Sequence, residues 1–295
     1  MKTFADGHRV VVSELGETPP DAIEQFVSLE PMAAPDTASL APTDVLLEVK
    51  SAAVGWVDLL MTSGQYQHAP HPPYTPGLEY AGVVVWKGSE VGDTIELGAE
   101  VLADGFLTGP RSLGSYQQWG GFATYAVAPQ NAVIPLPKGY SFDEGCNLLG
   151  NYETAYHCLI ARGRLQRGET VLIHGASGAT GLAAVQMAKL LGATVIATGR
   201  SDEKLALVKA QGADHVINTK GEDGGLRQFR DDVKALTDGS PLVRGHAAWA
   251  VAQLAQRHNL QEVSRAALES RAETEHDSSV LEELRSALAD LKPRP

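Results

Sequence analysis

A chain of 295 residues with 43% apolar and 20% charged side chains is long enough to bury more than one core, and its composition is that of an ordinary folded protein. Its 36 acidic against 24 basic residues leave a net charge of -12, which argues against nucleic acid or an anionic membrane as the main partner. Two cysteines, Cys146 and Cys158, exclude a disulfide framework and a cysteine-rich zinc site, and a cytoplasmic location is expected; no apolar run nears the roughly 20 residues of a membrane helix, and Met1 to Leu15 lacks a signal-peptide core.

From Met1 to about Gly150 short strand-like runs alternate with glycine and proline turns, as at Asp44–Lys50 and Tyr80–Val85, and predict an irregular β domain. The stretch from Asp104 to Trp119 has no periodicity and reads either as a loop over a cleft or as an insertion. Asn151 to His157 opens a helix that carries the chain out of this region, with Thr154 and Tyr156 as capping or packing residues and His157 and Cys158 on positions that a helix would bury.

Thr170 to Ile217 reads as βαβαβ, the nucleotide-binding half of a doubly wound α/β fold. The apolar run ending at His174 breaks into Gly175-Ala176-Ser177-Gly178-Ala179-Thr180-Gly181 and then into a helix whose apolar face is Leu182, Val185, Ala188 and Leu191. Dinucleotide binding needs glycine at a tight turn, at the approach to the pyrophosphate and where helix meets strand; here those places fall on Ala176, Gly178 and Gly181, so the first glycine is replaced. The N–H groups that open the helix suit phosphate oxygens. At the tip of the second strand stand Gly199-Arg200-Ser201 and then Lys204, with no carboxylate to take a ribose 2′-hydroxyl. Arg200, Ser201 and Lys204 suit a 2′-phosphate instead, which favours NADPH over NADH.

Beyond the third strand a helical pattern covers Leu226 to Leu236, and a second begins at Ser240-Pro241 with Val243, Ala247, Ala250, Val251 and Leu254 as its stripe. A similar element opens 37 residues after Val243, at Val280, where Ser279 and Glu282 match a capping box.

Four stretches, Gly55-Trp56-Val57-Asp58 through Tyr66, Pro72-Pro73-Tyr74-Thr75-Pro76-Gly77-Leu78-Glu79 through Gly82, Gly121-Phe122-Ala123-Thr124-Tyr125-Ala126 and the glycine turn, come in the order found in one family. Over about residues 1–238 the chain resembles the medium-chain dehydrogenase/reductase superfamily, in its zinc-free quinone oxidoreductase and enoyl reductase branch. The resemblance implies an α/β protein: a GroES-like catalytic domain at 1–150 and a partial Rossmann domain at 151–239, followed by a helical tail at 240–295 that is similar to the HEAT-like repeats of epoxyqueuosine reductases. Relatives continue with three more parallel strands, which supply a wall of the nicotinamide pocket and the usual dimer edge; a homodimer is therefore left open here.

Zinc-dependent relatives carry cysteine where this chain has Gly55 and histidine where it has Leu78, and only Glu79 remains of that set, so no metal is expected. The resemblance further implies polar contacts to the nicotinamide side from Asn151 and Thr154, and a proton-donating or carbonyl-binding role for Tyr66, which otherwise simply packs. Asp58 is expected to orient its local helix. The function implied is an NADPH-dependent reductase that transfers hydride to a small-molecule quinone or an enone or enoyl double bond. The alternative is a degenerate dehydrogenase-like module with little or no catalysis and a helical interaction tail.

Overall fold

The computed structural model describes residues 4–68, 70–112, 114–222, 224–225 and 261–290. The α/β chain divides into two compact units, Met1–Gly150 and Asn151–Pro295.

In the first unit, β1 (Gly7–Val12) pairs antiparallel with β2 (Val27–Met32), and helix α1 (Pro19–Phe26) joins them. The main sheet is built from β3 (Asp44–Ala53), β4 (Glu79–Lys87), β5 (Glu100–Ala103), β6 (Tyr125–Pro129) and β7 (Val133–Pro135), in the antiparallel order β6-β3-β4-β5-β7. Alternation along β3 explains why its first half is buried on both faces. Val45 and Leu47 pack with Tyr80, Val84 and Ala126, whereas Leu46 points the other way, onto Met32, Tyr125 and Val127. Register shifts after Leu46 and Val49 bend the strand against β4.

The aperiodic segment after β5 is fastened to this sheet. Thr108, fully buried, donates to the Val127 carbonyl at 2.9 Å, and Tyr116 donates to Asp44 at 2.5 Å. Desolvation and the neighbouring carboxylate push the Tyr116 phenol up to about 12.

The second unit carries β8 (Thr170–Ile173), α5 (Ala179–Leu190), β9 (Thr194–Gly199), α6 (Asp202–Ala210) and β10 (His215–Asn218). Its strands are parallel, in the order β10-β9-β8, and sequential strands joined by crossover helices give this half-sheet. Val171, Ile173, Val195 and Ala197 meet Ala184, Val185 and Ala188 in the core, with Leu182 and Leu191 half-buried beside them. The expected apolar face of α5 is therefore the one that packs.

After the short helix α3 (Phe142–Gly145), helix α4 (Leu149–Tyr156) widens into a π-helical turn at His157–Arg162. His157 and Cys158 are exposed, contrary to the expectation that they are buried. Ala155 and Leu159, four residues apart, take the core-facing positions and leave the two polar-capable residues between them on the outer side.

Helices Gln261–Thr274 and Ser278–Asp290 pack together through Leu268, Val280, Leu284 and Ala287. The buried Glu275 closes their turn, accepting Arg271 at 2.6 Å and the N–H groups of His276 and Asp277 at 2.9 Å. The cap of the last helix is Asp277, which accepts the N–H of Ser279 at 3.0 Å and of Val280 at 3.3 Å. This corrects the capping box expected from Ser279: the helix starts earlier, and the Ser279 hydroxyl itself donates to Asp277. The helices expected at 226–236 and from Ser240 lie outside the described residues. Among the described residues no helix is long and apolar enough to cross a membrane.

Leu47 is completely buried in the sheet core, so Leu47→Ala should lower the free energy of unfolding by about 2–5 kcal/mol in urea titration. A loss under about 1 kcal/mol would contradict the packing described.

Candidate functional site

Candidate site residues occur in both units. In the second, the chain leaves β8 through Gly175 in the left-handed region, φ +62°, and enters α5 at its N-cap, Gly178. The tight turn therefore falls on Gly175, one residue before the place assigned to it in the motif, because that backbone conformation strains any residue with a Cβ. Ala176 is fully buried and its N–H donates to the Thr198 carbonyl at 3.0 Å, which ties the turn to β9 and commits that donor. The His174 ring lies 3.0 Å from the Thr198 hydroxyl.

Gly181 marks the closest approach of helix and turn. A Cβ there would lie 2.5 Å from the Gly175 carbonyl oxygen and 2.8 Å from the Ala176 Cα, too close for any side chain. Gly178 by contrast faces open space apart from the Gly175 oxygen at 3.4 Å and supplies no side-chain cap. Ser177, Ala179 and Thr180 are exposed along the same rim. The N-terminal N–H groups of α5 thus open onto a cradle whose floor is bare backbone, which fits a pyrophosphate.

At the end of β9, Arg200 is exposed and its guanidinium donates to the Gly224 carbonyl. Ser201 is the N-cap of α6, its hydroxyl accepting the Lys204 N–H at 3.4 Å, and the Lys204 side chain is exposed. Asp202, the nearest carboxylate, is engaged by the Asn218 amide at 2.8 Å. In α4, Asn151 accepts the Thr180 hydroxyl at 3.0 Å, so this candidate meets the first turn of α5; Thr154 is exposed.

In the first unit, Asp58 is buried in helix α2 (Trp56–Thr62) and accepts three backbone N–H groups: Gly55 at 3.0 Å, Gly77 at 3.0 Å and Leu78 at 3.1 Å. Burial raises its pKa against the lowering effect of those three bonds. It orients the start of α2, as expected, and also clamps the loop that leads into β4. Burial raises the pKa of Glu79 too; its Oε1 accepts the Gly150 N–H at 2.7 Å. Tyr66 is half-buried against the cluster of Val12, Met61, Tyr74 and Leu78, with its ring edge-on to His68 at 6.0 Å. Among the described residues no three His, Cys, Asp or Glu side chains converge as a metal site requires.

Sequence reasoning missed Gly175 as the turn residue and Gly150 as the partner of Glu79. The first was legible as a glycine directly after the strand; the second joins residues 71 positions apart and has no local signal. Asp58→Ala strands three backbone donors and should destabilise the chain by about 3 kcal/mol in urea. Because the native pKa of Asp58 is raised, the native state binds that proton more tightly. Wild-type stability therefore gains a contribution as pH falls from the raised value to the ordinary one, and this contribution should vanish in the variant. Identical pH dependence of the two chains would count against the assignment.

Residues 41–138 match the alcohol dehydrogenase GroES-like domain family, and residues 179–244 match the zinc-binding dehydrogenase family. A quinone oxidoreductase-like protein 2 homolog from Nematostella vectensis is 36% identical over 231 residues, which is 78% of this chain and 56% of that protein. The crystal structure of a quinone oxidoreductase from Pseudomonas syringae is 30% identical with a TM-score of 0.63, covering 80% of this chain and 65% of that one. A mycobacterial structure complexed with NADPH is 26% identical with a TM-score of 0.60, covering 78% of this chain and 63% of that one. The chain spans about half the length of the curated relatives it matches. With its antiparallel GroES-like sheet and its parallel Rossmann-like sheet, the chain belongs to the medium-chain dehydrogenase/reductase superfamily, in the quinone oxidoreductase branch.

Proposed function

We propose that the chain is an NADPH-dependent, zinc-independent oxidoreductase that delivers hydride to a small-molecule quinone or to the activated double bond of an enone or enoyl compound. The observation that carries this reading is the bare-backbone cradle at the N-terminus of α5, with Gly181 pressed against the turn behind it. The names of the relatives, quinone oxidoreductases and a protein complexed with NADPH, support the same class.

In this reading the N–H groups of Ser177, Ala179, Thr180 and Gly181 hold the pyrophosphate, Gly178, whose own N–H goes to the Gly175 carbonyl at 3.0 Å, lets it approach the backbone, and Ala176 shapes the turn from within. Arg200, Ser201 and Lys204 take the 2′-phosphate; the guanidinium exchanges the Gly224 carbonyl for a dianion and gains paired charge-assisted bonds. Asn151 and Thr154 meet the nicotinamide side. Bound NADPH supplies the hydride, and the protein supplies position and polarity. Tyr66 hydrogen-bonds the acceptor carbonyl or donates its proton. No metal takes part, since glycine and leucine occupy positions 55 and 78. The reading also keeps residues 151–239 as a partial Rossmann domain, 240–295 as a HEAT-like helical tail, a cytoplasmic setting and no nucleic-acid or membrane partner.

A second reading is favoured by one observation: among the described residues the parallel sheet has only three strands. In that reading the chain is a degenerate dehydrogenase-like module whose tail serves packing or interaction.

Purified protein titrated with NADPH and NADH by fluorescence, then assayed for NADPH oxidation with a panel of quinones and enones, separates the two. The oxidoreductase reading expects saturable binding with NADPH preferred, and turnover on at least one acceptor. Binding without turnover supports the degenerate module, and binding of neither nucleotide overturns both the cofactor assignment and the enzyme. Arg200→Asp should weaken NADPH roughly tenfold to a hundredfold and NADH little, as expected for loss of charge-assisted bonds. Equal effects on the two would contradict the 2′-phosphate role.

A further inference from the structure

Glu79 is half-buried at the start of β4, and the reaction as proposed gives it no part. Its surroundings give it another task. The Gly150 N–H that its carboxylate accepts at 2.7 Å belongs to the first turn of α4, where backbone donors lack intrahelical acceptors. A carboxylate at that end is also favoured by the helix dipole. A Cβ at position 150 would lie 2.3 Å from Glu79 Oε1, so a side chain there would have to push the carboxylate aside.

Glu79 is itself held in place. The two residues before it, Gly77 and Leu78, give their N–H groups to Asp58, and Glu79 begins β4 paired with Ala53 of β3. Arg111 lends its side chain positive charge while its guanidinium stacks 3.7 Å over the Phe106 ring and donates to the Gly105 carbonyl at 3.3 Å. The next residue of α4, Asn151, is the one whose side chain takes the Thr180 hydroxyl in the first turn of α5. Gly150 and Asn151 thus carry, on successive residues, the carboxylate contact and the contact to the pyrophosphate helix.

We propose that Glu79 is a positioning residue: through the Gly150 N–H it fixes the first turn of α4 and so sets where the Asn151 amide is presented. The proposal rests on the reading of Asn151 as a nicotinamide-side contact. Glu79→Gln keeps an oxygen acceptor at the same reach and should largely preserve the arrangement, whereas Glu79→Ala removes it. Gly150→Ala should act like Glu79→Ala by displacing the carboxylate.

Amide exchange of the full chain, read without cofactor or substrate, tests the first link. In Glu79→Ala and in Gly150→Ala, peptides covering 149–156 should exchange about tenfold faster while peptides from β3 and β4 stay within about twofold, and Glu79→Gln should lie near wild type. Unchanged exchange at 149–156, acceleration spread over the whole unit, or no rescue by glutamine would overturn the proposal. The second link is a double-mutant cycle on kcat/KM for NADPH with Glu79→Ala and Asn151→Ala. The combined loss should be smaller than the product of the single losses, and simple multiplication would overturn the coupling. Failure of the wild-type chain to oxidise NADPH is a failure of the functional reading, and the exchange result then still decides whether Glu79 holds α4.

Discussion

The second unit depends on one close approach. Helix α5 meets the end of β8 so tightly that residue 181 has no room for a Cβ, and the turn between them reverses through a left-handed Gly175. Ala176 then ties that turn to β9 by its N–H, which fixes the height at which α5 begins. What remains is a helix N-terminus with no side-chain cap and an exposed rim at Ser177, Ala179 and Thr180. The close packing and the open helix N-terminus are therefore two consequences of the same two glycines, Gly175 and Gly181.

The first unit turns two carboxylates to structural use. Asp58 satisfies three backbone donors from two separated stretches, an arrangement in which charge lowers the cost of leaving those donors buried. Glu79, a short step along the same loop, does so for Gly150. Both are driven upward in pKa by burial, and both are offset by N–H groups, so each sits where desolvation and hydrogen bonding oppose one another.

Much of this was legible in the residues. The runs at Asp44–Lys50, Tyr80–Val85 and Thr170–Ile217 carry the period-2 or βα signals of the strands they form, and Val185 and Ala188 mark the buried face of α5. What escaped was decided by tertiary contact or by a one-residue choice. The Asp104–Trp119 stretch has no pattern because its order comes from Thr108 and Tyr116 reaching β6 and β3, bonds that span 19 and 72 residues. His157 and Cys158 were misplaced because helical periodicity alone does not say which side faces the core; Ala155 and Leu159 decided it. Asp277 displaced Ser279 as a cap because both are good caps and the helix began at the earlier one.

In the proposed reaction the cradle from Gly175 to Gly181, with the tip at Arg200 and Lys204, receives NADPH. Residue-resolved amide exchange of the wild-type chain with and without saturating NADPH tests it most directly. Slower exchange concentrated at residues 177–182 and 200–204 is the predicted result. Exchange unchanged there, or slowed only elsewhere, would contradict the account.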